Sequence, residues 1–291
     1  MGAREITLLT NPTAGKGRGA RYRDAALEHL RGAGVGVRTI EGRDADEALD
    51  LARTAVAEGT DALVLVGGDG LVHLGVQATA GTGTPIGMIP AGTGNDVARY
   101  FDVPRKDPVA AAERLLTGGP RTVDLARSGT RYFVTVLAAG FDAIVNERAN
   151  RMTWPKGQMR YNIATLAELR TFHPIPYTIE LDGVPRNLEA MLVAVGNGPS
   201  FGGGLRITEG AILDDGFLDV VIIKPMSKPG LIRTYPKLFK GTHTTHPAYE
   251  HHRVRSVTVA APGIVSYADG ERFGALPLTV ECAAGALTVL A

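Results

Sequence analysis

Between Leu63 and Gln77 the chain reads LVLVGGDGLVHLGVQ, with Asp69 set between glycines where an apolar run ends. Glycines let backbone amides approach an anion closely, and a helix that follows adds partial positive charge. A carboxylate beside a polyphosphate needs a cation between them, and Mg²⁺ commonly takes one or two carboxylates together with phosphate oxygens. Asp69 therefore fits a Mg²⁺-polyphosphate site, directly or through water; the alternative is a cap on a helix starting at Leu71. A second acidic pair stands late in the chain, Asp269 and Glu271 in YADGE (Tyr267–Glu271). Carboxylates in such a stretch can serve as an acid–base group or orient a metal-bound water. A hairpin turn between GIVSYA and LPLTVE explains the same residues without chemistry.

Two more glycine-rich stretches decide between these readings. NPTAGKGRG (Asn11–Gly19) and PAGTGND (Pro90–Asp96) each follow a strand-like run and precede a helical one, as GGDG (Gly67–Gly70) does. Any one of them is an ordinary βα turn. Three on the carboxyl edge of one parallel sheet favour a nucleotide. GKGRGA lacks the G-x-G-x-x-G pattern, and Gly15-Lys16 lacks Walker A spacing, so neither standard dinucleotide nor P-loop site applies.

The elements that must position these loops alternate at first. EITLLT, GVRTIEG, DALVLV and PIGMIP read as strands; ARYRDAALEHLRGAG, DADEALDLARTAVAEG, a short run from Leu71, a turn opening near Asn95 and DPVAAAERLL read as helices. Asp44 with Glu47 three residues on suggests a capping box. This alternation predicts βαβ units on a parallel sheet. After about Pro120 short strand-like runs dominate, among them RYFVTVLAAG, PYTIELDG, FLDVVII, LPLTVECAAG and ALTVLA, with one helix expected over 157–172. The expected fold class is α/β: a parallel-sheet nucleotide-binding domain over 1–121, then a mostly antiparallel β-sandwich domain over 122–291.

The chain has 291 residues, 44% hydrophobic and 21% charged, a folded composition whose net charge of +1 supplies no global attraction to nucleic acid or membrane. The single cysteine, Cys282, forms no internal disulfide and reads as part of a late strand. No apolar run reaches the roughly 18 residues of a membrane span, and the start shows no signal pattern, so the expected location is cytoplasmic.

NPTAG, GGDG and PAGTGNDVAR, in this order, resemble the catalytic domain of the diacylglycerol kinase and lipid kinase superfamily, and AAGFDAIV, GAILDDGFLDVVII and YADGE extend the likeness over nearly the whole chain. The resemblance implies an ATP-binding α/β domain, a β-sandwich domain, a cleft between them, and transfer of the ATP γ-phosphate to a lipid hydroxyl. Implied ATP contacts are Asn11, Pro12, Thr13, Ala14, Gly15, Lys16 and Gly17 on the first loop, and Thr39 in the second strand. The second loop would add Gly67, Gly68, Asp69, Gly70, Leu71, Val72, His73 and Leu74, and the third Gly92, Thr93 and Asn95. Glu271 would be the general base, with Asp269 and Asp69 beside the reaction. Mg²⁺ would sit on Asp215 and the carbonyls of Ile212 and Phe217. Where the family reads GGDGT, an apolar residue and Asn-Glu, this chain has Leu71, His73 and Leu74, so side-chain contacts to the nucleotide must differ.

Diacylglycerol, giving phosphatidate, is the expected acceptor; a sphingoid base, phosphatidylglycerol, or a catalytically silent nucleotide- or lipid-binding role are the alternatives. Peripheral contact with a membrane is expected around Trp154, flanked by Arg148, Arg151, Lys156 and Arg160; a homodimer through edge strands is compatible. His243, His246, His251 and His252 cluster in THTTHPAYEHH, without zinc spacing or a nearby cysteine.

Overall fold

The computed structural model describes residues 5–11, 13–154, 163–164, 167–168 and 173–291. The first half alternates as its pattern requires: β1 (Glu5–Thr10), α1 (Ala14–Gly32), β2 (Gly36–Ile40), α2 (Ala45–Ala57), β3 (Ala62–Gly67), α3 (Asp69–Thr79), β4 (Ile86–Pro90), α4 (Asp96–Tyr100) and α5 (Pro108–Thr117). β2, β1, β3 and β4 lie side by side and parallel. β3 and β4 are buried along their whole length because helices cover both faces, α1 packing with α5 and α2 with α3. Asp44 caps α2 by accepting from the Glu47 amide at 2.9 Å, but Glu47 returns its carboxylate to the Arg43 amide rather than to Asp44. Asp107 caps α5, accepting from the Val109 and Ala110 amides.

The second half contains β5 (Pro120–Ser128), β6 (Arg131–Phe133), β7 (Val136–Gly140), α6 (Phe141–Arg151), β8 (Ile175–Leu181), β9 (Val184–Ala190), β10 (Leu192–Gly196), β11 (Leu218–Ile223), α7 (Lys228–Leu238), β12 (Tyr249–Val254), β13 (Ser256–Ala260), β14 (Val265–Ala268), β15 (Glu271–Ala275) and β16 (Leu278–Leu290). One sheet runs β12-β11-β10-β7-β14-β15, antiparallel throughout. Its partner sheet is an extension of the first. β16 lies parallel beside β4 at one end and antiparallel to β13, followed by β8 and β9. One apolar core fills the α/β layers and a second fills the space between the two sheets of the sandwich. This is the expected α/β unit joined to an antiparallel sandwich.

Two local readings differ. LPLTVECAAG and ALTVLA form one strand, β16, because Gly285 makes an irregular step in the pairing with β5 rather than an end. Its amide donates to Asp124 Oδ1 at 2.8 Å, so the kink is held from outside the strand. The short strand-rich half also carries α6 and α7, which the strand-like pattern of their neighbours conceals. α7 starts at Lys228, with Pro229 in its first turn and Ser227 accepting from the Gly230 amide, and tolerates Pro236 in its last turn. The helix expected over 157–172 falls on positions most of which lie outside the described residues.

Candidate active site

Three parallel strands end side by side, so their loops stack. The Asn11 amide donates to the Val66 carbonyl at 3.1 Å, and the Ala91 amide to the Gly67 carbonyl at 2.7 Å. The backbones then approach more closely than side chains would allow. A Cβ on Gly15, which stands at φ +58°, would lie 1.9 Å from the Ala91 carbonyl oxygen, and one on Gly92 would lie 2.5 Å from the Gly68 Cα. Glycine is required at these points by contact, not by turn shape alone. α1 begins at Ala14, inside the first loop, which is wound through Gly15 and Gly17 in left-handed conformations.

Asp69 does not cap its own helix. Its two oxygens accept the Asn95 and Asp96 amides, each at 2.7 Å, so the carboxylate of the second loop holds the N-terminus of α4 on the third. Asn95, itself at φ +52°, closes that loop through its side chain on the Gly92 amide and carbonyl. Burial first, and then the charge of Asp96, push the Asp69 carboxyl up to about 6 against the pull of the two amides. Asp96 continues the chain of contacts, accepting the Gly203 amide at 2.6 Å from the turn at Phe201–Leu205; burial raises its carboxyl as well.

The late acidic pair is divided by a turn, since in an extended segment residues two apart would share a face. Asp269 and Gly270, at φ +52° and +87°, form the two-residue turn of the β14–β15 hairpin. The Asp269 side chain is buried. It accepts the Val134 amide, the Thr135 amide and hydroxyl, and His73 Nδ1–H. Burial pushes its carboxyl upward, yet His73 and the Thr135 and Val134 donors outweigh that and hold it below the usual carboxylate range. Glu271, the first residue of β15, is exposed and turns toward the second loop: a Cβ on Gly70 would lie 2.9 Å from Glu271 Oε1.

These groups form the rim of a cavity of about 790 Å³. Asp69, Gly70, Thr93, Gly94, Asp269, Gly270 and Glu271 stand on one side. Beyond them the wall is mainly aliphatic and aromatic, from Phe141 and Val145 of α6, Leu205 and Ile207, and Leu231, Tyr235 and Leu238 of α7, with Thr234, His243 and His246 among them. The volume lies in the range of small-molecule sites, roughly 300–1,000 Å³.

The other expected residues fall into groups. Asn11 and Thr13 are exposed beside the stacked loops, Asn11 Oδ1 accepting the Thr13 amide and hydroxyl, and Ala14 follows at the start of α1. Pro12 and the Lys16 side chain lie outside the described residues. Thr39 is exposed near the end of edge strand β2. Leu71, Val72 and Leu74 belong to the first core, so what α3 offers there is backbone. Ile212, Asp215 and Phe217 lie on a different loop and do not line the cavity. Asp215 accepts the Phe217 amide and pairs with Arg253, so a cation there would compete with a guanidinium. Among the described residues no group of three His, Cys, Asp or Glu side chains is placed to hold a metal. The histidine cluster is dispersed: His243 Nε2 donates to the Ile207 carbonyl, His251 meets Asp219 and His252 meets Glu250. Cys282 sits in β16 with its thiol pushed up to about 12, mainly by burial.

Arg18 is a residue that motif reasoning passed over. Its guanidinium donates to the Gly15 carbonyl at 3.0 Å and the Gly92 carbonyl at 3.1 Å, joining the first loop to the third. The turn at Phe201–Leu205 was equally unforeseen, although three consecutive glycines, all at positive φ, mark it in the sequence.

Glycine loops on the carboxyl edge of a parallel sheet, set against a cavity under a β-sandwich, define a two-domain kinase fold. Residues 5–128 match the diacylglycerol kinase catalytic domain, and residues 135–291 the YegS C-terminal NAD kinase beta sandwich-like domain. The chain is 44% identical over 292 residues to a diacylglycerol kinase of Mycobacterium tuberculosis, covering 98% of this chain and 94% of that one. It is 27% identical to a diacylglycerol kinase of Bacillus subtilis, covering 93% and 90%. A solved diacylglycerol kinase from Bacillus anthracis shares the fold at a TM-score of 0.79 and 23% identity, covering 99% and 97%. An NAD kinase from Archaeoglobus fulgidus, solved in complex with ATP, shares it at 0.53 and 13%, covering 99% and 93%. The chain belongs to the diacylglycerol kinase-like lipid kinase superfamily.

Proposed function

We propose that this kinase transfers the γ-phosphate of ATP to the hydroxyl of a lipid, with diacylglycerol as acceptor and phosphatidate as product. The observation that carries the reading is that the second and third glycine loops and Glu271 line one mainly apolar cavity of about 790 Å³. Amides and glycine backbones of the three loops would cradle the polyphosphate, and the apolar wall would take the acyl chain. An NAD molecule is the other acceptor chemistry of this fold, and the aliphatic and aromatic wall does not suit a dinucleotide.

Glu271 would accept the proton of the lipid hydroxyl as its oxygen bonds to the γ-phosphorus and the bond to the ADP oxygen breaks. Asp269 would fix the hairpin that presents Glu271, and Asp69 would hold the second and third loops together. Mg²⁺ arriving with ATP would supply charge neutralisation on the phosphates, and Asp69, among the residues lining the cavity, would be the carboxylate to face it. The supporting experiment offers labelled ATP to the full chain with a panel of lipids in detergent micelles. Diacylglycerol should become labelled, and Glu271→Gln should lower kcat by roughly 10²–10⁴-fold while leaving ATP affinity nearly intact. Label on no lipid would overturn the reading; label on a different lipid would replace the acceptor.

A further inference from the structure

α7 has two faces with different work. Leu231, Thr234, Tyr235 and Leu238 line the cavity. The opposite stripe carries Ile232, Arg233, Lys237 and, two residues beyond the helix, Lys240, all exposed. Positions 232, 233, 236 and 237 fall within one side of a helix at 3.6 residues per turn, and Lys240 follows in the turn after it. Ile232 is 52% exposed and Phe239, at the edge of the cavity, 44%; both rank among the few large apolar side chains left open to solvent.

The charge of this stretch is unlike that of the chain. From Lys224 to Tyr249 there are five cations, Lys224, Lys228, Arg233, Lys237 and Lys240, and no carboxylate, in a protein whose net charge is +1. Arg233, Lys237 and Lys240 have no carboxylate within 4 Å among the described residues. Around Trp154 the basic residues behave otherwise: Arg148 pairs with Glu168 and Arg151 with Glu147, while Lys156 and Arg160 lie outside the described residues. Trp154 itself is 78% exposed, so the contact expected there remains an expectation beside α7.

We propose that the outer face of α7, from Ile232 to Lys240, docks on an anionic phospholipid bilayer. Ile232 and Phe239 enter the interface and the three cations face the headgroups. Cations beside an exposed apolar pair match the chemistry of such a surface. The helix that touches the bilayer on one side would roof the cavity on the other, so docking brings the cavity to the place where an acyl-glycerol would be extracted. The inference rests on the lipid-binding reading of that cavity.

The test is flotation of the full chain with vesicles of phosphatidylcholine, with and without phosphatidylglycerol, at low and high salt. The wild type should float with the anionic vesicles only, and release as salt is raised. Ile232→Glu, and separately the pair Arg233→Glu/Lys240→Glu, should weaken flotation, the charge pair by roughly twentyfold or more at about fivefold per cation removed. None of these three side chains lines the cavity, so phosphorylation of a short-chain, water-soluble diacylglycerol should stay at the wild-type rate while that of vesicle diacylglycerol falls. If either variant melts earlier, Lys237→Glu replaces it. Wild-type flotation by the variants, or equal binding to neutral vesicles, would overturn the proposal. Absence of all lipid phosphorylation with salt-sensitive flotation intact would instead remove the kinase reading and leave the docking surface standing.

Discussion

Asp69 offers a measurement in which the geometry fixes both sign and size. Its carboxyl, ordinarily near 3.8, is pushed up to about 6 by burial and by Asp96. A carboxyl that binds its proton more tightly in the folded state contributes stability that is complete below the unfolded value, and lost as pH rises through the folded one. A separation of about two pH units at 1.36 kcal/mol each amounts to about 3 kcal/mol lost by neutral pH. Asp69→Asn removes that dependence and introduces a different, pH-independent cost. Asparagine has one accepting oxygen where two amides, of Asn95 and Asp96, now each meet their own. Leaving one buried amide without an acceptor costs about 1–3 kcal/mol.

The absolute stability of either protein therefore decides nothing, but their difference does. Urea unfolding of wild type and Asp69→Asn between pH 4.5 and 7.5 should show the gap moving by about 2 kcal/mol in favour of the variant as pH rises. Titrations common to both proteins cancel, apart from Asp96 and Asp269, whose charges reach Asp69. Parallel stability curves would refute the assignment of a costly buried charge to the second loop, and with it the view that this loop is held against its electrostatic preference.

The remaining predictions probe the same rim. Gly70→Ala places a Cβ 2.9 Å from Glu271 Oε1 within α3; turnover should fall at least roughly tenfold, while helix propensity keeps the melting temperature equal or higher by up to about 1 kcal/mol of stability. An unchanged kcat would mean that Glu271 acts from another position. His73→Ala leaves Asp269 one donor short in a buried site and should cost about 1–3 kcal/mol in chemical unfolding, whereas His73→Asn, which keeps an N–H, should recover most of it; equal losses would assign the effect to packing. Arg18→Gln should raise KM for ATP more than it lowers kcat, because the side chain joins the first loop to the third. A fall in kcat at unchanged KM would refute that arrangement.

What could be read from the chain was what lies within one turn of itself. The three glycine loops, the parallel strands before them, the Asp44 cap and the Asp269-Gly270 hairpin are each specified by neighbours in sequence, and each stands where periodicity and turn chemistry put it. The bonds that make a site of them span the chain: Asp69 to Asn95 and Asp96, Asp96 to Gly203, His73 to Asp269, Gly70 beside Glu271. No local pattern carries such pairings, since a carboxylate reads alike whether it caps its own helix or another one. The same reason hid the cavity. Leu231, Tyr235 and Leu238 recur at helical spacing, but Pro229, Gly230 and Pro236 interrupt the stretch and strands surround it, so the roof of the cavity reads as a loop until the sheets beneath it are assembled. The glycines at 202–204 carried a usable signal: three in succession permit a left-handed turn, and that turn presents the Gly203 amide to Asp96.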